Sequence, residues 1–347
     1  MRIANKVIGP NYPPFVIAEM SGNHNQNLDR AMSIVEAAAE SGVHALKLQT
    51  YTADTMTLDI SDREFFISDE KNLWTGQSLY ELYGKAATPW EWHQPIMQRC
   101  LELGMICFST QFDATAVDFL EKLNCPAYKI ASFENADLPL IRKVAATRKP
   151  IIISTGMATI SELAETVAES MTIGREQLAL LKCTSTYPAS PENTNILTIP
   201  HLRDLFQCEV GLSDHTMGLG TAIAAVAHGA SIIEKHFTLS REDGGVDAAF
   251  SMEPAEMKQL VHECERAWQS LGSIHYGSTR SEESSMQFRR SLYVSQNIKA
   301  GDILSHENIR SVRPGLGLPP KYLNVLLGCR VTRDLPKGTP LTWELLS

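Results

Sequence analysis

The stretch GLSDHTMGLGTAIAAVAHGASIIEKHFTL, Gly211–Leu239, decides the fold. Val210-Gly211-Leu212-Ser213 is a short extended run ending in Asp214-His215. Thr221–His228 is small and apolar, as a helix lying on a sheet is. Ser231–Phe237 is a second extended run. Strand, helix, strand in succession makes the two strands parallel. His215 and His236 then fall at equivalent ends of neighbouring strands. Side chains alternate along a strand, so Ser213 shares a face with His215, and Glu234 with His236. Two imidazoles and a carboxylate in one small volume form a donor set for a divalent metal. The plainer alternative is that each histidine is a satisfied residue of the core or rim.

The same strand–helix rhythm runs back to the start. Extended runs are expected at Phe15–Met20, Ala45–Tyr51, Ile106–Thr110, Tyr128–Phe133, Pro150–Thr155 and Leu178–Cys183. Helical apolar spacing follows each, as at Leu28–Ser41, which closes on Gly42. Thr88-Pro89-Trp90-Glu91 reads as a helix start, with Thr88 as N-cap. Eight such units in about 270 residues predict a (β/α)₈ barrel over 1–271; a doubly wound sheet rarely sustains eight. A long insertion, Ala53–Ala86, carries Phe65, Phe66, Trp74, Tyr80 and Tyr83, and connections this long usually serve a site. After Leu271 the character changes. Residues 272–285 read as a linker, and 286–347 as a small, mostly-β domain that would gain from docking on a partner.

A chain of 347 residues with a formal net charge of -9 argues against nucleic acid as a partner. No run is long and apolar enough for a membrane span, and the first residues lack a signal-type apolar core, so a cytoplasmic location is expected. The seven scattered cysteines read as reduced thiols. If the substrate is an anion, positive charge must be concentrated locally.

Barrel catalysis sits at the C-terminal ends of the strands. Those ends carry Glu19, Lys47, Gln49, Thr110, Lys129, Ser132, Glu134, Ser154, Lys182, Ser185, Ser213, His215, Glu234, Lys235 and His236. Buried lysines are costly unless paired with an anion. Pairing with Glu19, Glu134 and Glu234 would explain any one of them. Four lysines beside hydroxyls are better explained as a phosphate and carboxylate site. The Ser154-Thr155-Gly156 turn is expected to add amide groups from a helix start. A metal beside an anion site suggests carbonyl chemistry, with Glu134 or Glu19 moving protons. A lysine Schiff base is the competing mechanism. A Rossmann fingerprint and a P-loop are both absent.

On these residues the chain resembles the sialic acid synthase family, phosphoenolpyruvate-dependent condensing enzymes with a (β/α)₈ TIM barrel and a C-terminal antifreeze-like (SAF) domain. The matching segments are Ala18–Asn25, Lys47–Thr50, Tyr128–Glu134, Ser154–Met157, Gly211–His215, Ile233–Phe237 and Arg313-Pro314-Gly315. Within the family, the EMSGNHN loop, Leu48–Tyr51, Thr88–His93 and the Leu73–Tyr80 insertion look most like the members that take 2,4-diacetamido-2,4,6-trideoxy-L-altrose. Neuraminic and legionaminic acid synthases, which use other acetamido sugars, more usually begin that loop with Gly-x-Asn-His-Asn. Ser185 stands where Asn is frequent, and Gln111 where Pro is common.

The resemblance implies roles. His215 and His236 would hold Mn²⁺, with Mg²⁺ or Co²⁺ as alternatives, and Glu234 would orient a histidine or a water from behind. Lys47, Thr110, Lys129, Ser132, Ser154, Ser185 and Ser213 would hold phosphoenolpyruvate. Glu19, Gln49, Tyr187 and Asp247 would contact the sugar, and Glu134 would handle protons. Arg313, and with it Phe288, would reach the site from the SAF domain of a partner subunit in a domain-swapped homodimer. The implied reaction is an aldol-like condensation. C3 of phosphoenolpyruvate attacks the C1 aldehyde of an open-chain acetamido sugar, water adds at C2 and phosphate leaves. A sugar- or ice-binding protein on an inactive barrel and a metal-dependent sugar isomerase are the readings from other classes.

Overall fold

The computed structural model describes residues Met1–Ser347, which divide into two compact units, Met1–Gly272 and Ser273–Ser347. In the first, a two-stranded hairpin, β1 (Arg2–Ile3) and β2 (Lys6–Val7), precedes eight parallel strands: β3 (Phe15–Glu19), β4 (Ala45–Thr50), β5 (Ile106–Gln111), β6 (Tyr128–Ile130), β7 (Ile151–Ser154), β8 (Leu178–Cys183), β9 (Glu209–Ser213) and β10 (Ile232–His236). They close into a barrel, β10 pairing with both β3 and β9. These strands are apolar runs buried on both faces, such as Ile151-Ile152-Ile153, which is why they lack clean alternation. The helices between them are α1 (Leu28–Glu40), then α2 (Ala53–Met56) and α3 (Leu79–Ala86) within the insertion, α4 (His93–Glu102), α5 (Ala114–Lys122), α6 (Leu138–Ala146), α7 (Ile160–Ser170), α8 (Thr198–Phe206), α9 (Gly220–Ala227) and α10 (Pro254–Leu271). No helix is long and apolar enough to cross a membrane.

Local chemistry sets the ends of these elements. Thr159 and Glu162 form a reciprocal capping box at α7, and Asn27 caps α1 through the Arg30 amide. Gly211 lets β9 sit tight: a Cβ there would lie 2.3 Å from the Ile232 carbonyl oxygen and 2.7 Å from Leu181 Cδ2.

Two expectations need correction. Thr88 is not an N-cap. A 3₁₀ turn, Trp90–Trp92, precedes α4, which has no side-chain cap, and Thr88 Oγ1 instead meets His24 Nε2 at 3.2 Å. The run from Tyr128 leaves the sheet at Ile130, so Ser132 and Glu134 ride on a 3₁₀ turn, Ser132–Glu134. The second unit is the small β domain expected, with antiparallel bridges at Tyr293–Pro340, Ile298–Leu335, Ile303–Arg330 and Val331–Leu346. It has two four-residue antiparallel strands, β11 (Ser291–Val294) and β12 (Ile309–Val312), a short helix α11 (Leu323–Leu326), and turns around its own core of Leu292, Ile298, Leu304, Val331 and Leu341.

Candidate active site

Strand register assembles the site. Glu19 on β3 pairs in register with Lys47 on β4 and with His236 on β10. Gln49 on β4 pairs with Thr110 on β5, and Thr110 with Lys129 on β6. Ser213 on β9 pairs with Glu234 on β10 and with Cys183 on β8. Register partners in parallel strands point the same way, so these side chains enter the barrel mouth together. All of them line a cavity of about 320 Å³.

Charge there is dense and paired. Lys47 Nζ donates to Glu19 Oε1 at 2.6 Å and to Thr110 Oγ1 at 3.0 Å. Lys129 Nζ donates to Ser154 Oγ at 2.7 Å. Both ammonium groups face Glu234 Oε1, at 3.9 Å and 3.5 Å, which also accepts from Ser213 Oγ at 3.0 Å. Gln49 Nε2 donates to Glu19 at 2.8 Å. Burial alone would raise the Glu19 carboxyl, but Lys47 and His236 outweigh it and hold it well below the usual carboxylate range. Glu234 Oε2 is buried without a partner. Two fully buried lysines answered by carboxylates form a charged cradle in which one carboxylate oxygen is still free to accept.

His215 and His236 come together as expected, with ring centroids 5.4 Å apart. The Thr184 carbonyl oxygen accepts from His215 Nδ1 at 3.0 Å, which leaves Nε2 as the lone-pair nitrogen. His236 Nε2 lies 3.2 Å from Glu19 Oε2, and its Nδ1 lies 3.7 Å from Asp247 Oδ2 and has no hydrogen bond although buried. Burial lowers the His236 pKa and raises that of Asp247. Ser21 donates to Asp247 Oδ2. Glu234 does not orient a histidine: its neighbours are Lys47, Lys129 and Ser213. Glu19 and Asp247 are the carboxylates beside His236, one by register and the other from the loop after β10. Two imidazoles presenting free nitrogens suit a divalent cation.

Glu134 reaches the cavity from the turn after β6. Burial pushes its carboxyl up to about 7 against the pull of Lys129, and its Oε2 is buried without a partner. Cys183, which strand position alone does not distinguish from a core thiol, lines the cavity with its sulfur 3.9 Å from His215 Nδ1. Burial opposes its ionisation, but His215 and Ser132 draw it down to about 7. Ser185 is not among the residues lining the cavity; its Oγ lies 3.8 Å from Cys183 Sγ. It stands so close to Gly156 that a Cβ there would sit 2.2 Å from Ser185 Oγ and 2.6 Å from Ser132 Oγ.

Several expected groups do not converge. Alternation turns Lys182 and Lys235 away from the cavity. Lys182 Nζ binds the Cys183 carbonyl, and Lys235 Nζ binds Asp214 at 2.8 Å and the Thr216 carbonyl. The lysine set is therefore two, not four. The amides after β7 are also occupied: Thr155 N bonds the Leu181 carbonyl, Gly156 N bonds Ser132 Oγ, and α7 starts only at Ile160. Arg313 and Phe288, expected to serve the site of a second copy, belong to the second unit, where both are exposed. Tyr187 and Asp247 do line it. Tyr187 lies against His215, centroids 4.5 Å apart, and against Trp74 at 5.7 Å. Tyr51, Phe112 and Tyr83 form an aromatic wall that polar-residue reasoning passes over.

Comparison with known proteins agrees with this geometry. The model of the NeuB family matches residues 34–276, and that of the SAF domain residues 289–347. The chain is 42% identical over 331 residues to the pseudaminic acid synthase of Helicobacter pylori, covering 95% of this chain and 97% of that one. It is also 42% identical over 327 residues to the pseudaminic acid synthase of Campylobacter jejuni, covering 94% and 95%. Among solved structures, the spore coat polysaccharide biosynthesis protein SpsE of Bacillus subtilis aligns with a TM-score of 0.67 and 33% identity over 100% of this chain and 99% of that one. A closed eight-strand barrel with a lysine–carboxylate cradle beside two histidines, followed by a separate small unit, is thus the architecture of a member of the NeuB family carrying a SAF domain, and to that family the chain belongs.

Proposed function

We propose that the chain is a transferase that condenses phosphoenolpyruvate with 2,4-diacetamido-2,4,6-trideoxy-L-altrose, releasing phosphate and giving pseudaminic acid. The observation that carries this reading is the Lys47–Lys129 cradle lying in one cavity with His215, His236 and Glu134, in a chain 42% identical to pseudaminic acid synthases. The two ammonium groups and the hydroxyls of Thr110, Ser132, Ser154 and Ser213 would receive the phosphate and carboxylate of phosphoenolpyruvate. Tyr187, Gln49 and Asp247 would align the open-chain sugar so that its aldehyde carbon meets C3 of phosphoenolpyruvate. Glu134, its carboxyl raised to about 7 by burial, would supply a proton to the aldehyde oxygen as it becomes a hydroxyl.

His215 and His236 would hold a divalent metal, Mn²⁺ with Mg²⁺ or Co²⁺ as alternatives. Such an ion polarises a carbonyl oxygen and lowers the pKa of water. Arg313 and Phe288 would complete the sugar end from the SAF domain of a second copy in a homodimer. Free thiols at all seven cysteines support a reducing, cytoplasmic setting.

Phosphate release measured with phosphoenolpyruvate, the diacetamido sugar and Mn²⁺ tests the reading. Release with a nine-carbon 2-keto acid seen by mass spectrometry is expected. Tight sugar binding without release would instead indicate a binding protein, and sugar isomerisation without phosphoenolpyruvate an isomerase.

A further inference from the structure

The insertion between β4 and α4 gives the cavity a second, chemically different end. Met56, Ile67, Trp74, Leu79, Leu82 and Tyr83 line the cavity alongside the charged strand ends. The ionic groups come from strands, strand-end turns and, for Asp247, the loop after β10, whereas this wall is mostly apolar. The two ends are close. Tyr187 touches His215 on one side and Trp74 on the other, at 4.5 and 5.7 Å between centroids. The wall is also anchored. Trp74 Nε1 donates to the Val246 carbonyl at 2.7 Å, next to Asp247, and Asn72 Oδ1 accepts from the Trp74 amide at 2.9 Å. A reciprocal cap between Ser78 and Glu81 starts α3, which presents Leu79, Leu82 and Tyr83.

An open-chain hexose carries its reacting aldehyde at one end and C6 at the other. With the aldehyde at the histidines, C6 points away from the charged cradle. A terminal CH₂OH there would set a hydroxyl mostly against carbon, with only the Asn72 amide and the Tyr83 phenol as polar side chains on this wall to compensate its lost water. A methyl group loses nothing. We propose that the insertion is the specificity element of this chain. On this reading, which rests on the function proposed above, the wall around Ile67 and Leu79 selects acetamido sugars whose C6 is a methyl group, and Trp74 positions the wall by tying it to the loop of Asp247. An apolar pocket rejects an added hydroxyl only moderately, so the preference should be about 10–100-fold in kcat/KM.

The test is a ratio: kcat/KM for the 6-deoxy diacetamido sugar over that for its 6-hydroxy counterpart, in the full-length protein and in Leu79→Ser, Ile67→Ser and Trp74→Phe variants. The wild-type ratio should lie near 10–100. Either serine variant should cut it at least fivefold while the KM for phosphoenolpyruvate stays within twofold. Trp74→Phe keeps an aromatic ring but removes the N–H, and should raise the KM of both sugars with little change in kcat. Ile67 and Leu79 are only partly buried, so the two serine variants guard against misfolding of one. Wild-type turnover with a ratio near one, or a ratio unmoved by both serine variants, overturns the inference alone. No turnover of either sugar overturns the functional reading and this inference with it.

Discussion

Glu134 is a carboxyl held protonated by burial, with only one ammonium group, Lys129, pulling the other way. Between its ordinary pKa near 4.5 and its native value near 7 the folded state binds a proton that the unfolded state has lost. Stability therefore falls as pH rises through that window. Glu134→Gln should remove that slope and gain up to about 3 kcal/mol over wild type by pH 8, read from urea unfolding at pH 5 and pH 8. Parallel wild-type and variant profiles would contradict the assignment. The same variant should lose about 10²–10⁴ in kcat if Glu134 moves the proton. For His236→Ala we expect a kcat loss of about 100-fold or more with the unfolding midpoint retained. Full activity in that variant with chelator present would remove the metal from the mechanism. His24 and His93 behave differently. Burial lowers both to about 4, and their bonds to Thr88 and Thr50 make them braces of the loop and not reactants.

At the scale of elements, alternation along a strand separates functional lysines from structural ones. Lys235, one residue from both Glu234 and His236, faces the opposite way and is satisfied by Asp214; Lys47 faces in. Removing one partner of a buried pair costs about 3–5 kcal/mol, so Lys47→Met and Lys235→Met should both destabilise by that order in chemical denaturation. Only Lys47→Met should also raise the KM for phosphoenolpyruvate, by tenfold or more. An equal rise in Lys235→Met would mean the two faces are not distinct. Period-two alternation is legible in the sequence for Ser213 with His215 and Glu234 with His236, and the same alternation separates Lys235 from its two neighbours. The Ser132–Glu134 turn was hidden by an apolar run that reads as unbroken strand, and the partners of His236 were hidden because register between β3 and β10 is set only when the barrel closes. The insertion was visible as a segment that serves a site, but the direction its side chains take was not.

For the whole molecule, the barrel has a large core of its own and the second unit a small one. A chain ending at Gly272 should fold, with a cooperative thermal transition and a far-UV circular dichroism spectrum rich in helix. It should release no phosphate if Arg313 of a second copy completes the site; an active truncated monomer would refute that arrangement. Arg313→Ala in the full chain should raise the KM of the sugar more than that of phosphoenolpyruvate, and equal effects would contradict its placement on the sugar. The barrel itself was legible from the rhythm of eight strand–helix units, because buried parallel strands are written as short apolar runs. The second unit was harder to read, since turns and isolated bridges leave no periodicity.

Register across the closing seam has a consequence for synthesis. Glu19 is made in the first barrel strand, and its neighbour His236 in the last. A nascent chain that has emerged only as far as Ala230 holds both lysines, Glu134 and His215, yet lacks Glu234, His236 and Asp247 and cannot shut the ring. Its cradle would then leave Lys47 and Lys129 without Glu234, the counter-ion they share. Translation thus delivers the chemistry all at once, in the closing step, and a ribosome stalled before Ile232 displays most of the parts and none of the site.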